Sequence, residues 1–174
     1  MRKIILSIVV LAAISLPANR LMAQATVNTA GAANIVDPIT LTETSSLSFG
    51  TLSVLSGTAG TCILSSSGVR TQTNGVNLSS ATPISKTASY NVTGAASTAY
   101  AVNVPASFEV VNGSNSMIVN ALKVKTGSIG ADGLTGILSA AGTDNFTLGG
   151  TLNANAGQAA LLYTGSFDVT VAYN

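Results

Sequence analysis

The side chains able to do chemistry in this chain are few and scattered. Histidine is absent from all 174 positions, which removes the commonest general base and the commonest transition-metal ligand and excludes any triad built on it. Six carboxylates remain: Asp37, Glu43, Glu109, Asp132, Asp144 and Asp168. Two would have to converge to act as general acid and base. They lie apart in sequence, and Asp37, Asp132 and Asp144 stand beside Pro38, Gly133 and Asn145 in turn-like contexts. Asp132 and Asp144 with nearby carbonyls offer the hard oxygen ligands that calcium takes, but the repeated acidic spacing of a calcium loop is missing, so no metal is assigned. Gly149-Gly150 and the stretch Gly130–Gly136 lack the strand, glycine loop and helix order of a phosphate cradle and read as bulges or close backbone approaches. Cys62 is the sole cysteine. It cannot form an internal disulfide, and beside Ile63 and Leu64 it reads as a buried structural thiol. No catalytic, cofactor-binding or metal residue is nominated, no cofactor is implied, and the chain reads as non-enzymatic.

Recognition chemistry is equally sparse. Trp is absent, and the aromatic side chains are four Tyr and four Phe. Tyr90 and Tyr100 are the residues to weigh as solvent-facing platforms for a sugar ring, against packing within a strand pair or core. The triplets beginning at Asn77, Asn91, Asn112 and Asn145 match the N-glycosylation pattern, but they arise by chance in a chain this rich in Asn, Ser and Thr.

These residues must be positioned by β structure. The first residues carry the layout of a secretory signal: basic Arg2 and Lys3, an apolar run from Ile4 to Leu16, then Pro17 and a polar stretch to Leu21-Met22-Ala23. A signal peptide over residues 1–23, cleaved after Ala23, is expected, with export through the inner membrane to the periplasm, cell surface or exterior. The apolar run is too short to span a bilayer. Residues 24–174 then form one domain. They keep four basic side chains (Arg70, Lys86, Lys123, Lys125) against the six acids, a net charge of −2. Four scattered cations build neither a nucleic-acid footprint nor a patch for anionic lipid. With only 7% of the chain charged, copies repel one another weakly, which fits a protein that assembles.

Short apolar alternations bounded by Gly, Asn, Ser and Thr recur about every ten residues, the pattern of an all-β sandwich or barrel. Strands are expected at 35–41, 47–55, 61–66, 69–73, 86–92, 99–104, 107–111, 117–125, 134–139, 146–152 and 162–172. Asn74-Gly75, Asn112-Gly113 and Asp132-Gly133 offer hairpin turns. Ser65–Asn77 and Gly127–Leu134 read as loops. The terminal stretch places Phe167, Val169, Val171 and Tyr173 on one face and Asp168, Thr170 and Ala172 on the other, a strand that ties down the C-terminus.

Several of these segments together resemble a known family. They are Ile39-Thr-Leu-Thr-Glu-Thr44, Leu47-Ser-Phe-Gly50, Ala88-Ser-Tyr-Asn-Val-Thr-Gly94, Tyr100-Ala-Val-Asn-Val-Pro105, Leu148-Gly-Gly-Thr-Leu152 and Tyr163 to Asn174. In order and spacing the chain is similar to exported bacterial all-β proteins classed as domain of unknown function family 4402. The resemblance implies a secreted, pilin-like or coat-protein-like antiparallel β-sandwich with an immunoglobulin-like or pilin-like layout, and transfers no site residues. A looser similarity links the chain to subunits of chaperone–usher fimbriae, whose missing strand is completed by a neighbour's N-terminal extension. Here Val27, Thr29, Gly31, Ala33 and Ile35 share one face of an extended segment. Residues 24–34 thus have two open roles: pairing with a neighbouring subunit, or forming the first strand of a complete domain. The expected function is a structural subunit of a fimbria-like surface assembly that associates with itself or with other subunits. A secreted adhesion or glycan-binding module using the two loops is the alternative.

Overall fold

The computed structural model describes residues 24–174; the expected signal peptide, residues 1–23, lies outside them. Residues 24–34 carry neither strand nor helix and are exposed. The compact unit is Ile35–Asn174. It is all-β and antiparallel, with no helix among the described residues. The strands are β1 (Thr40–Ser45), β2 (Leu52–Val54), β3 (Gly60–Leu64), β4 (Arg70–Asn74), β5 (Val76–Leu78), β6 (Ala88–Thr93), β7 (Ala99–Asn103), β8 (Ser107–Asn112), β9 (Asn115–Thr126), β10 (Thr135–Ile137), β11 (Thr143–Ala154) and β12 (Thr170–Tyr173).

β11 organises the large, seven-stranded sheet. One of its edges pairs with β9. The other is shared in two halves, by β6 along Thr143–Leu148 and by β3 along Gly150–Ala154. β1 continues the sheet beyond β6, β4 beyond β3, and β8 beyond β9. The handover falls at Gly149, where an added Cβ would stand 2.1 Å from the Leu64 carbonyl oxygen, so only glycine lets β3 end there. Opposite Gly150 the register against β9 shifts, and Ala121 sits at φ 48° in the bulge. The Gly149-Gly150 pair is thus both a close approach and a bulge.

A three-stranded sheet, β10-β7-β12, and a two-stranded one, β2-β5, share no ladder with the large sheet or with each other. Each contributes to a buried cluster on the large sheet. Tyr100 and Val102 of β7 pack with Ala88, Val92, Phe146 and Leu148, while Val76 of β5 packs with Cys62, Val119 and Leu152. Each large aliphatic side chain so buried contributes about 1.5–3 kcal/mol.

The expected strand at 35–41 is displaced. Pro38 has no N–H to donate to a ladder, and pairing starts only at Thr40. The expected strand at 47–55 is broken by Gly50 at φ 73°, leaving a bridge at Ser48 and the short β2. β5 falls within and just beyond a stretch read as a loop. Of the three expected hairpins one forms. Asn112 pairs with Asn115 across Gly113-Ser114, with Gly113 at φ 59°, so the turn lies one residue later than the Asn-Gly pair. Asn74-Gly75 instead carries the chain from the large sheet into β5, and Asp132 forms an isolated bridge to Lys125 before the chain reaches β10.

Candidate functional site

A cleft of about 580 Å³ opens on the face of the large sheet that carries the small ones. Its floor is Tyr90, Phe108, Val110, Met117 and Leu152, drawn from β6, β8, β9 and β11. One wall is the approach to β2, Leu47–Leu52; the other is the approach to β12, Leu161–Phe167. The cleft thus lies where the two small sheets fail to meet.

The β2 wall is held through its backbone. The Arg70 guanidinium, reaching from β4, donates to the carbonyl oxygens of Phe49 at 2.8 Å, Thr51 at 3.2 Å and Ser79 at 2.5 Å. The Thr51 N–H donates to the Pro83 carbonyl at 2.9 Å. Charge-assisted bonds to three carbonyls fix a loop that has little ladder of its own. Gly50 permits its turn, and its N–H donates to Ser48 Oγ at 3.2 Å.

The β12 wall starts firmly and then comes loose from any ladder. Thr164 exchanges both backbone bonds with Val111 on β8, at 2.8 and 3.1 Å. The Tyr163 hydroxyl donates to the Ala159 carbonyl at 3.0 Å and accepts from Gln158 Nε2 at 2.9 Å. Gly165 then crosses β8 so closely that a Cβ would stand 2.1 Å from the Glu109 carbonyl oxygen. From Gly165 to Val169 no backbone hydrogen bond is made among the described residues. The stretch nevertheless keeps a strand's alternation: Phe167 and Val169 are half-buried, Ser166 and Asp168 exposed. The Phe167 ring stacks on Phe108 with centroids 4.4 Å apart. β12 continues the alternation, and its outer edge makes no ladder among the described residues. It is anchored by Tyr173, whose hydroxyl donates to the Asp37 carbonyl at 2.7 Å and accepts from the Ala95 N–H at 2.6 Å. Main-chain donors and acceptors in an extended row beside an apolar floor form a template for another strand.

The cleft offers no acid–base pair, because Glu43 is the one charged side chain in its lining. The carboxylates weighed from the sequence go elsewhere. Asp132 accepts from Ser66 Oγ at 2.5 Å. Asp144 accepts from the Tyr100 hydroxyl at 2.9 Å and from Ser128 Oγ at 2.6 Å. No three of Cys, Asp and Glu gather as a metal site among the described residues. Cys62 is fully buried, and burial, partly opposed by Arg70, pushes its thiol up to about 11. Tyr100 is also fully buried and is no platform. Tyr90 stacks on Phe146 at 4.8 Å between centroids, and burial followed by the nearby Glu43 raises its phenol. Phe49, Phe108 and Phe167 were not weighed as recognition residues in the sequence; alternation places Phe167 on the inner face of the last strand but does not mark a gap above it.

The family model described as Domain of unknown function (DUF4402) matches residues 39–173. No curated protein and no solved structure matches the chain. The matched span runs from the residue before β1 to the last residue of β12 and takes in both walls and the floor of the cleft. The chain belongs to the DUF4402 family.

Proposed function

We propose that this protein is a non-enzymatic structural subunit, exported and built into a fimbria-like bacterial surface assembly by self-association. In this reading the antiparallel sheets make a β-sandwich of immunoglobulin-like or pilin-like layout with one face incomplete. The observation that carries it is the unpaired extended stretch Gly165–Val169 beside the cleft. An open strand edge over apolar side chains recruits another strand. The low charge of the chain leaves little repulsion to oppose that.

The test is the mass distribution of the chain from Gln24 onward, by light scattering across a concentration series. Self-association gives a mean mass that rises with concentration, and a constant monomer mass at every concentration overturns the proposal. A glycan-binding module is the second reading, favoured by the aromatic lining of the cleft (Phe49, Tyr90, Phe108, Tyr163 and Phe167) and by a volume within the range of ligand sites. It is selected by a constant monomer mass together with saturable binding of an oligosaccharide that Phe167→Ala weakens.

A further inference from the structure

We infer that the cleft is filled by the stretch Val27–Ile35 of a second copy of this chain, laid beside Gly165–Val169 and hydrogen-bonded to it through the main chain. The inference rests on the self-association proposed above and names the segment that carries it. Three features select this occupant. Its length suffices, since Val27–Ile35 spans about 26 Å when extended and the five residues Gly165–Val169 about 13 Å. Its chemistry fits as well, because residues 24–36 include no Asp, Glu, Lys or Arg, and entry into the cleft strips water from no charge on the segment. Finally, it is available. Val27 and Ile35 are 84% and 94% exposed, and the segment makes no ladder.

An extended segment places Val27, Thr29, Gly31, Ala33 and Ile35 on one face. That face turns toward Phe108, Val110 and Met117. The intervening Asn28 and Asn34 stay in water, as Asp168 does on the accepting strand. Main-chain bonds then satisfy the free groups of Gly165–Val169. Each copy carries one cleft and one such segment, so the contact links a donor copy to an acceptor copy, and its symmetry decides between a reciprocal dimer, a ring and an open chain.

The test compares the chain from Gln24 onward with its V27D/I35D variant in the same light-scattering series, and adds a synthetic peptide of residues 24–36 to the variant. The substitutions lie in an exposed segment outside the strands, so an unchanged melting temperature verifies that the fold is intact. The inference expects the variant to need about a hundredfold higher concentration to associate, the effect of losing two buried aliphatic side chains. It also expects the peptide to bind the variant saturably, and Phe108→Ala in the variant to weaken that binding at least tenfold. Association by the variant at the same concentrations as the parent overturns the inference and leaves self-association standing. A parent that stays monomeric throughout overturns both.

Discussion

The pin between Tyr100 and Asp144 gives the sharpest test of how the small sheets are fixed to the large one. Tyr100, on β7, is fully buried, and its hydroxyl donates to Asp144 Oδ2 of β11 at 2.9 Å. The same oxygen accepts from Ser128 Oγ at 2.6 Å, and Asp144 Oδ1 accepts from the Ser128 N–H at 3.1 Å. Burial, and then the bond to Asp144, push the phenol well above the usual tyrosine range. A hydrogen bond to a charged acceptor contributes about 1.5–3 kcal/mol. Asp144 is half-buried, and solvent screening places the bond at the lower end, about 1.5–2 kcal/mol for Tyr100→Phe. Asp144→Ala costs about 2–4 kcal/mol, since it also strips the two Ser128 bonds and leaves a buried phenol without an acceptor. The double variant removes the shared bond only once, so its cost falls short of the sum by about 1.5 kcal/mol. Urea unfolding followed by circular dichroism supplies all four free energies. Additivity within about 0.5 kcal/mol would falsify the pin.

Cys62 is expected to resist alkylation in the native state at pH 8, with labelling that follows global unfolding, because the thiol is fully buried and raised to about 11. Its folded value lies above the ordinary thiol value of 9.0, so its contribution to stability is complete below pH 9 and is lost as pH rises toward 11. That loss is about 3 kcal/mol at about 1.4 kcal/mol per unit. It reads as a larger fall in the urea midpoint of the parent than of Cys62→Ala, since the raised phenols of Tyr90 and Tyr100 lower both, and an equal fall in both proteins rejects the assignment. Gly149→Ala, whose Cβ would stand 2.1 Å from the Leu64 carbonyl oxygen, is expected to cost about 2–3 kcal/mol, whereas Gly133→Ala, with nothing within 4 Å, changes stability by less than about 0.5 kcal/mol. Similar melting temperatures for the two variants contradict the close approach at the strand handover.

Alternation made most of the fold legible. The half-buried row of Phe167, Val169, Val171 and Tyr173 and the exposed row of Asp168, Thr170 and Ala172 lie as the period of two requires. What alternation cannot encode is whether an extended stretch finds a partner. Residues 165–169 read as strand and keep its alternation, yet among the described residues they pair with nothing because β7, which pairs with β12, ends at Asn103, ahead of Val104-Pro105. Proline offers no N–H to lengthen that ladder, and it restricts the residue before it. The cleft was illegible for a related reason. Its floor comes from four strands spread over the chain, and its existence depends on two small sheets that do not meet. β5, three residues long, is too short to show a period at all.

The unguarded character of this edge is itself informative. Exposed edges are commonly blunted by lysine, proline or inward-pointing charge. Along Gly165–Tyr173 there is no Lys or Pro, and the one charge, Asp168, points to solvent away from the face of Phe167 and Val169. β1, at an edge of the large sheet, carries Glu43 and a register shift between Glu43 and Ser45, both of which discourage a further strand. β4, at another edge, commits Gln72 Oε1 to the Leu78 N–H at 2.6 Å and Arg70 to the β2 wall. The contrast lies within one molecule, under one composition and one low net charge. An edge left open beside an apolar floor, where β1 and β4 are obstructed or committed, is the contrast on which the proposed self-association rests.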